Sequence, residues 1–129
     1  MADDDAYLAY HRLPFFIKVF SGLLRNDEMD DGYPTWTLKL TKLHLKRTIE
    51  IPYEFWQRHI LINALEDAVY FLVDGQTWRI LLEHSLSKIW IKHGWRRFKD
   101  ANALVLDVRC HFKLVDAHDV QFYVWFDRP

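Results

Sequence analysis

A chain of 129 residues has room for one hydrophobic core and too little for two. Half of its residues are hydrophobic and 16% aromatic, which excludes a disordered chain, and no apolar run nears the roughly 20 residues that cross a bilayer as a helix. The formal net charge is only −1, so binding to nucleic acid or to an acidic surface has to come from local clusters rather than bulk charge.

In chain order, residues 1–13 read as an acidic lead-in with a short helix at 6–11. They lack the basic-then-apolar pattern of a secretion signal. Phe15, Phe16, Ile17, Lys18, Val19 and Phe20 read as a strand whose start suits Pro14. Residues 21–35 are polar, with Arg25, the acids Asp27, Glu28, Asp30 and Asp31, and the breakers Gly32 and Pro34. Charge divides here: residues 1–35 hold seven acids and three bases, residues 36–129 eleven acids and fourteen bases.

Trp36, Leu38 and Leu40 then alternate with Thr37, Lys39 and Thr41. The phase slips at Lys42 before Leu43 and Leu45 resume it, which predicts one strand through 47 with a bulge. Its polar side is basic, with Lys39, Lys42, His44, Lys46 and Arg47. Pro52 suits the first turn of a helix at 53–59. Strands are expected at 68–74 and 77–82 around a Gly75-Gln76 turn, then a polar connection at 83–87 and a strand at 88–92. After Gly94, Trp95, Phe98 and Ala101 share one helical face and Arg96, Arg97, Lys99 and Asp100 the other. Asn102 is a natural helix stop.

Strands at 108–115 and 120–126 close the chain across a loop at 116–119. In the first, Val108, Cys110 and Phe112 face inward against Arg109, His111 and Lys113. In the second, Phe122, Val124 and Phe126 face inward against Gln121, Tyr123 and Trp125. A lone cysteine excludes a disulfide framework and fits a reducing compartment, and its place on the apolar face makes Cys110 a core thiol. About seven strands and two short helices without a βαβ repeat predict a mainly β, open antiparallel barrel or sandwich.

Seven histidines invite a metal or acid–base reading, but no H-E-x-x-H, H-x-H or C-x-x-C spacing occurs, nor G-x-S-x-G, a P-loop or G-x-G-x-x-G. The expectation is no enzyme, no metal and no cofactor. Three basic patches remain: Arg25 with Lys39, Lys42, His44, Lys46 and Arg47; then His84, Ser85, Ser87 and Lys88; then Arg96, Arg97 and Lys99. Cations neutralise phosphates and hydroxyls add directional hydrogen bonds.

Gly94, Trp95, Phe98, Asn102, Leu104, Cys110 and Phe112 together resemble the core signature of the plant B3 DNA-binding domain. Phe15 to Gly22 (FFIKVFSG), the Ile51-Pro52-x-x-Phe55 segment, and Trp78 with Ile80 are similar to further landmarks of that family, so the likeness spans residues 14–127. It implies a seven-stranded open antiparallel β-barrel (the DNA-binding pseudobarrel) with two short helices, in a domain at 14–129. It also implies a nuclear protein that binds double-stranded DNA, regulates transcription and has other transcription factors as possible partners, with no membrane attachment.

By position, the family's two major-groove arms fall at 21–48 and 83–88. Lys39, Lys42, Lys46 and Arg47 then meet phosphates; His84, Ser85, Ser87 and Lys88 approach bases or backbone; Arg96, Arg97 and Lys99 clamp the flanking backbone. This chain departs from the pattern in its long first arm and in Asp107-Val108 where Gly-Asp is usual. The second arm has no Arg and carries Glu83. Without the forked donors that read bases, the likeness implies weak specificity, closer to the reproductive-meristem branch than to auxin response factors. The alternative is a degenerate B3-like module that binds proteins and not DNA, favoured by the acids at 27–31 and by Tyr123 and Trp125 if exposed. Oligomeric state has no signal in the sequence.

Overall fold

Within residues 32–129, the part of the chain that the computed structural model describes, the apolar runs become seven strands. The helix expected at 6–11, the strand at 15–20 and the acidic loop with Arg25 lie outside the described residues. The elements are β1 (Thr35–Lys39), α1 (Lys42–Lys46), β2 (Glu50–Ile51), α2 (Tyr53–His59), a short 3-10 helix (Ile62–Glu66), β3 (Val69–Val73), β4 (Gln76–His84), β5 (Ile89–His93), α3 (Trp95–Ala101), β6 (Arg109–Asp116) and β7 (Gln121–Asp127). The strands form one seven-stranded sheet in the order β1-β6-β7-β3-β4-β5-β2, curled into an open half-barrel. This is the mainly β architecture expected. The β3–β7 pairing is parallel, Tyr70 opposite Gln121, and the other pairings are antiparallel.

The inner face is packed with rings. Trp36 stacks on Phe112 at 4.0 Å between centroids, and Phe112 meets Phe71 at 5.3 Å. Phe71 meets Phe98 edge-on at 5.2 Å, which carries the stack from the sheet into α3. Trp56 of α2 and Phe98 of α3 are fully buried, so both short helices are held by the core rather than by propensity. Offset and edge-on pairs of this kind add about 0.5–1.5 kcal/mol each beyond the area they bury.

Gly94 joins β5 to α3 at φ 104°. A Cβ there would lie 3.0 Å from the Arg79 carbonyl and 2.9 Å from Ile80 Cδ1, so only glycine lets the chain turn into α3 this close to β4. α3 ends as a Schellman motif: Ala103 N–H donates to the Asp100 carbonyl and Leu104 N–H to the Lys99 carbonyl. The left-handed residue is Ala103 at φ 51°, not Asn102, which instead donates Nδ2–H to the Phe98 carbonyl at 2.8 Å. Asp107 takes φ 71° at the corner where the resembling family carries glycine.

Several expectations are corrected. The single strand through residue 47 is instead β1 followed by α1. Thr41 caps α1, accepting from His44 N–H while His44 Nδ1 accepts from Thr41 N–H at 3.1 Å. That reciprocal cap overrides the Leu43–Leu45 alternation. Lys42, His44 and Lys46 are therefore helix residues, not one side of a strand. The β3–β4 turn is Asp74-Gly75, both at positive φ, one residue earlier than expected. Glu83 and His84 belong to β4 rather than to a loop. Tyr123 is buried and Trp125 half-buried, while Lys113 and Gln121 are also buried, so the outer side of β6 and β7 is not a free aromatic surface.

Candidate nucleic-acid interface

The first and third basic patches meet. Trp95 Nε1–H of α3 donates to the His44 carbonyl at 2.8 Å, and Lys99 Nζ donates to the Leu45 carbonyl at 2.7 Å. These carbonyls lie at the end of α1, where helix carbonyls lack internal partners and a cation is favoured. Lys99 is thus a fastener of α1: its side chain is only 18% exposed, so it does not stand free as a phosphate clamp. His44 is likewise held by its cap. Lys42, Lys46 and Arg47 on and after α1, and Arg96 and Arg97 on α3, are exposed.

The second patch is a projecting ribbon. β4 pairs with β3 only as far as Ile80, and beyond it Leu81 to His84 pair with β5 alone. A register shift between Leu81 and Leu82 redirects this outer part. Ser85 N–H donates to the Lys88 carbonyl at 2.9 Å, which leaves Leu86 and Ser87 at the tip. His84, Ser85, Ser87 and Lys88 are all exposed around it. Glu83, the acid expected to repel phosphate, lies 3.6 Å from Lys92 across the hairpin. Lys92 was missed by the sequence reading, which treated it as a strand residue; the diagonal spacing of a hairpin is the signal that finds it.

β5 connects the two groups of cations. Its first residue follows Lys88 and its last precedes Gly94 and α3. The segment after α1 is held against β5 by Ile91 N–H donating to the Ile49 carbonyl and by the Thr48 hydroxyl donating to the Ile91 carbonyl at 2.8 Å. From Lys88 to His93 the backbone advances about 17 Å at a strand's rise per residue, against a major groove about 12 Å wide. Lys39 sits apart on β1, 3.8 Å from Asp107, in an exposed pair of little strength. Lys42, Lys46, Arg47, Lys88, Arg96 and Arg97 make no ion pair with any described residue. Arg25 lies outside the described residues.

The fold has a plant counterpart. The solved structure of the hypothetical Arabidopsis thaliana protein At1g16640.1 superposes with a TM-score of 0.60 at 21% identity, covering 77% of this chain and 94% of that one. At this identity the likeness is one of fold alone. Neither a protein-family model nor a curated protein sequence matches the chain.

The outer side of β1, β6 and β7 carries a polar cluster that no linear motif announces. The Thr37 hydroxyl lies 2.9 Å from His111 Nδ1, and His111 Nε2 lies 2.7 Å from Asp127 Oδ2. With the proton on Nε2, the imidazole donates to Asp127 and accepts from Thr37. The ring stacks on Trp125 at 5.0 Å. One histidine thereby ties three neighbouring strands together. Cys110 is fully buried; burial pushes its thiol up to about 12 from the ordinary 9.0, against a smaller lowering by Arg128. Among the described residues no group of three or more His, Cys, Asp or Glu is placed to hold a metal ion.

Proposed function

We propose that the chain is a B3-type domain that binds double-stranded DNA in the nucleus and regulates transcription. The β4–β5 ribbon enters the major groove, and the α1–α3 face grips the flanking backbone. The observation that carries this reading is the placement of six exposed cations without an ion-pair partner among the described residues. Lys88 stands at one end of β5, and Lys42, Lys46, Arg47, Arg96 and Arg97 stand towards the other. Arg58, Arg79, Arg109 and Arg128 are likewise exposed and without an ion pair among the described residues, but lie outside this grouping. An unpaired surface cation can displace the counterions condensed on phosphates, the dominant source of affinity for duplex DNA. The likeness in fold to a plant protein and the residue signature from Gly94 to Phe112 support the family assignment. A two-stranded ribbon is one of the two elements that fit the major groove.

The ribbon carries serine, histidine and lysine but no arginine, so phosphate contacts dominate and sequence preference is weak. The test is binding of the purified protein to random-sequence duplex across a salt series. The expected plot of log affinity against log salt has a slope of about −3 or steeper. Lys46→Glu with Arg47→Glu weakens binding on every sequence tried. A folded sample that binds no duplex at low salt overturns the proposal. It would favour the protein-binding alternative, for which the exposed Leu61 and Ile62 at the start of the 3-10 helix offer a contiguous apolar contact.

A further inference from the structure

Among the exposed large hydrophobic residues, Leu86 stands alone at 97% exposure. It occupies the tip of the β4–β5 ribbon, beside Ser87. Turn positions favour Gly, Asn, Asp and Ser, which supply unusual backbone angles or bond the local backbone. Leucine does neither. Leu86 and Ser87 are not among the residues at positive φ, and the leucine packs on no core. Neither local conformation nor folding therefore accounts for this side chain at this place.

Its surroundings limit what it can meet. Ser85 and Ser87 flank it with hydroxyls, Lys88 adds an unpaired cation and His84 an exposed imidazole. A polar rim around one apolar side chain also occurs at protein interfaces; the cation without an ion pair at Lys88 and the ribbon's place in the proposed reading favour DNA. A duplex offers phosphates to the cation, hydrogen-bonding base edges and backbone to the hydroxyls, and one apolar group in the major groove, the C5-methyl of thymine. We infer that Leu86 is a specificity-determining residue that packs on thymine methyl groups, giving the domain a preference for thymine-containing sites without any arginine fork. This rests on the ribbon entering the major groove, as proposed above.

Two duplexes test it: alternating adenine–thymine, and the same sequence with deoxyuridine at every thymine, which removes only the methyl groups. The wild-type protein is expected to bind the thymine duplex about four-fold more tightly, the worth of burying roughly one methyl-sized group. Leu86→Ala, a change at a fully exposed site, is expected to bind both duplexes equally, at about the wild-type level on the deoxyuridine duplex. Equal wild-type affinity for the two duplexes overturns the inference while leaving DNA binding intact, and so does a thymine preference that survives in Leu86→Ala. Absence of binding to either duplex at low salt overturns the DNA-binding proposal itself, and the inference with it.

Discussion

Cys110 shows how far a single residue can be read from its pattern. Alternation assigned it to the inner face of its strand, and the structure buries it completely with its thiol pushed up to about 12. The sign of the consequence follows from linkage. Between pH 9 and 12 the unfolded chain releases this proton while the folded chain retains it, so stability present below pH 9 is lost as pH rises through that window. The loss approaches about 1.4 kcal/mol per pH unit inside the window. Urea melts of the wild type and Cys110→Ala at pH 8, 9 and 10 isolate it. The wild type should decline more steeply above pH 9 than the variant, in which the other alkaline groups titrate alone; parallel declines would show that the thiol is not desolvated. At pH 8 a disulfide reagent should leave the native thiol unlabelled and react with it after denaturation.

At the scale of elements, α1 is the instructive case. Five residues are far too few to hold a helix in water, and α1 persists because Thr41 caps its start while Trp95 and Lys99 take the carbonyls near its end. Replacing Lys99 by Met keeps the aliphatic stem but strands the Leu45 carbonyl, which costs about 1–3 kcal/mol of stability. Hydrogen exchange should quicken first in α1. Because Lys99 is a fastener rather than a phosphate contact, the salt slope of DNA binding should hold steady, and a slope shallower by about one would return it to the interface.

The same element marks where the sequence was opaque. Strands β3 to β7 and helices α2 and α3 were legible in place from their apolar runs and the Pro52 and Gly94 signals, but not in every facing. Lys113, Gln121 and Tyr123, expected outward, are buried, and Ala103 rather than Asn102 takes the left-handed turn. In α1, Leu43 and Leu45 mimic a strand, and the cap uses histidine where Glu or Gln is the usual sign. The Thr37–His111–Asp127 cluster and the meeting of α1 with α3 join residues far apart in the chain. So does the parallel β3–β7 pair. No local pattern encodes such distant contacts. Of the candidate site, the exposed cations were legible, but the commitment of Lys99 and His44 to α1 was not.

For the whole molecule, the question is whether the two groups of cations act on one duplex. About 17 Å of backbone from Lys88 to His93 separates them, so their effects should be independent, and salt dependence counts the contacts made at each end. Lys88→Gln should make the slope shallower by about 0.9, Arg96→Gln with Arg97→Gln by about 1.8, and the triple variant by about 2.7. Each replaced residue is exposed and without an ion pair among the described residues, so thermal stability should change little and the slopes can be compared directly. Additive losses place both ends of β5 on the same DNA. If only the Lys88 change alters the slope, the ribbon binds alone and the basic face of α3 is merely solvated. If only the arginine pair matters, the ribbon does not enter the groove, and the preference inferred for Leu86 must vanish with it. The slope experiment and the deoxyuridine experiment thus constrain each other: a thymine preference lost in Leu86→Ala requires a measurable contribution from Lys88, its neighbour at the same tip.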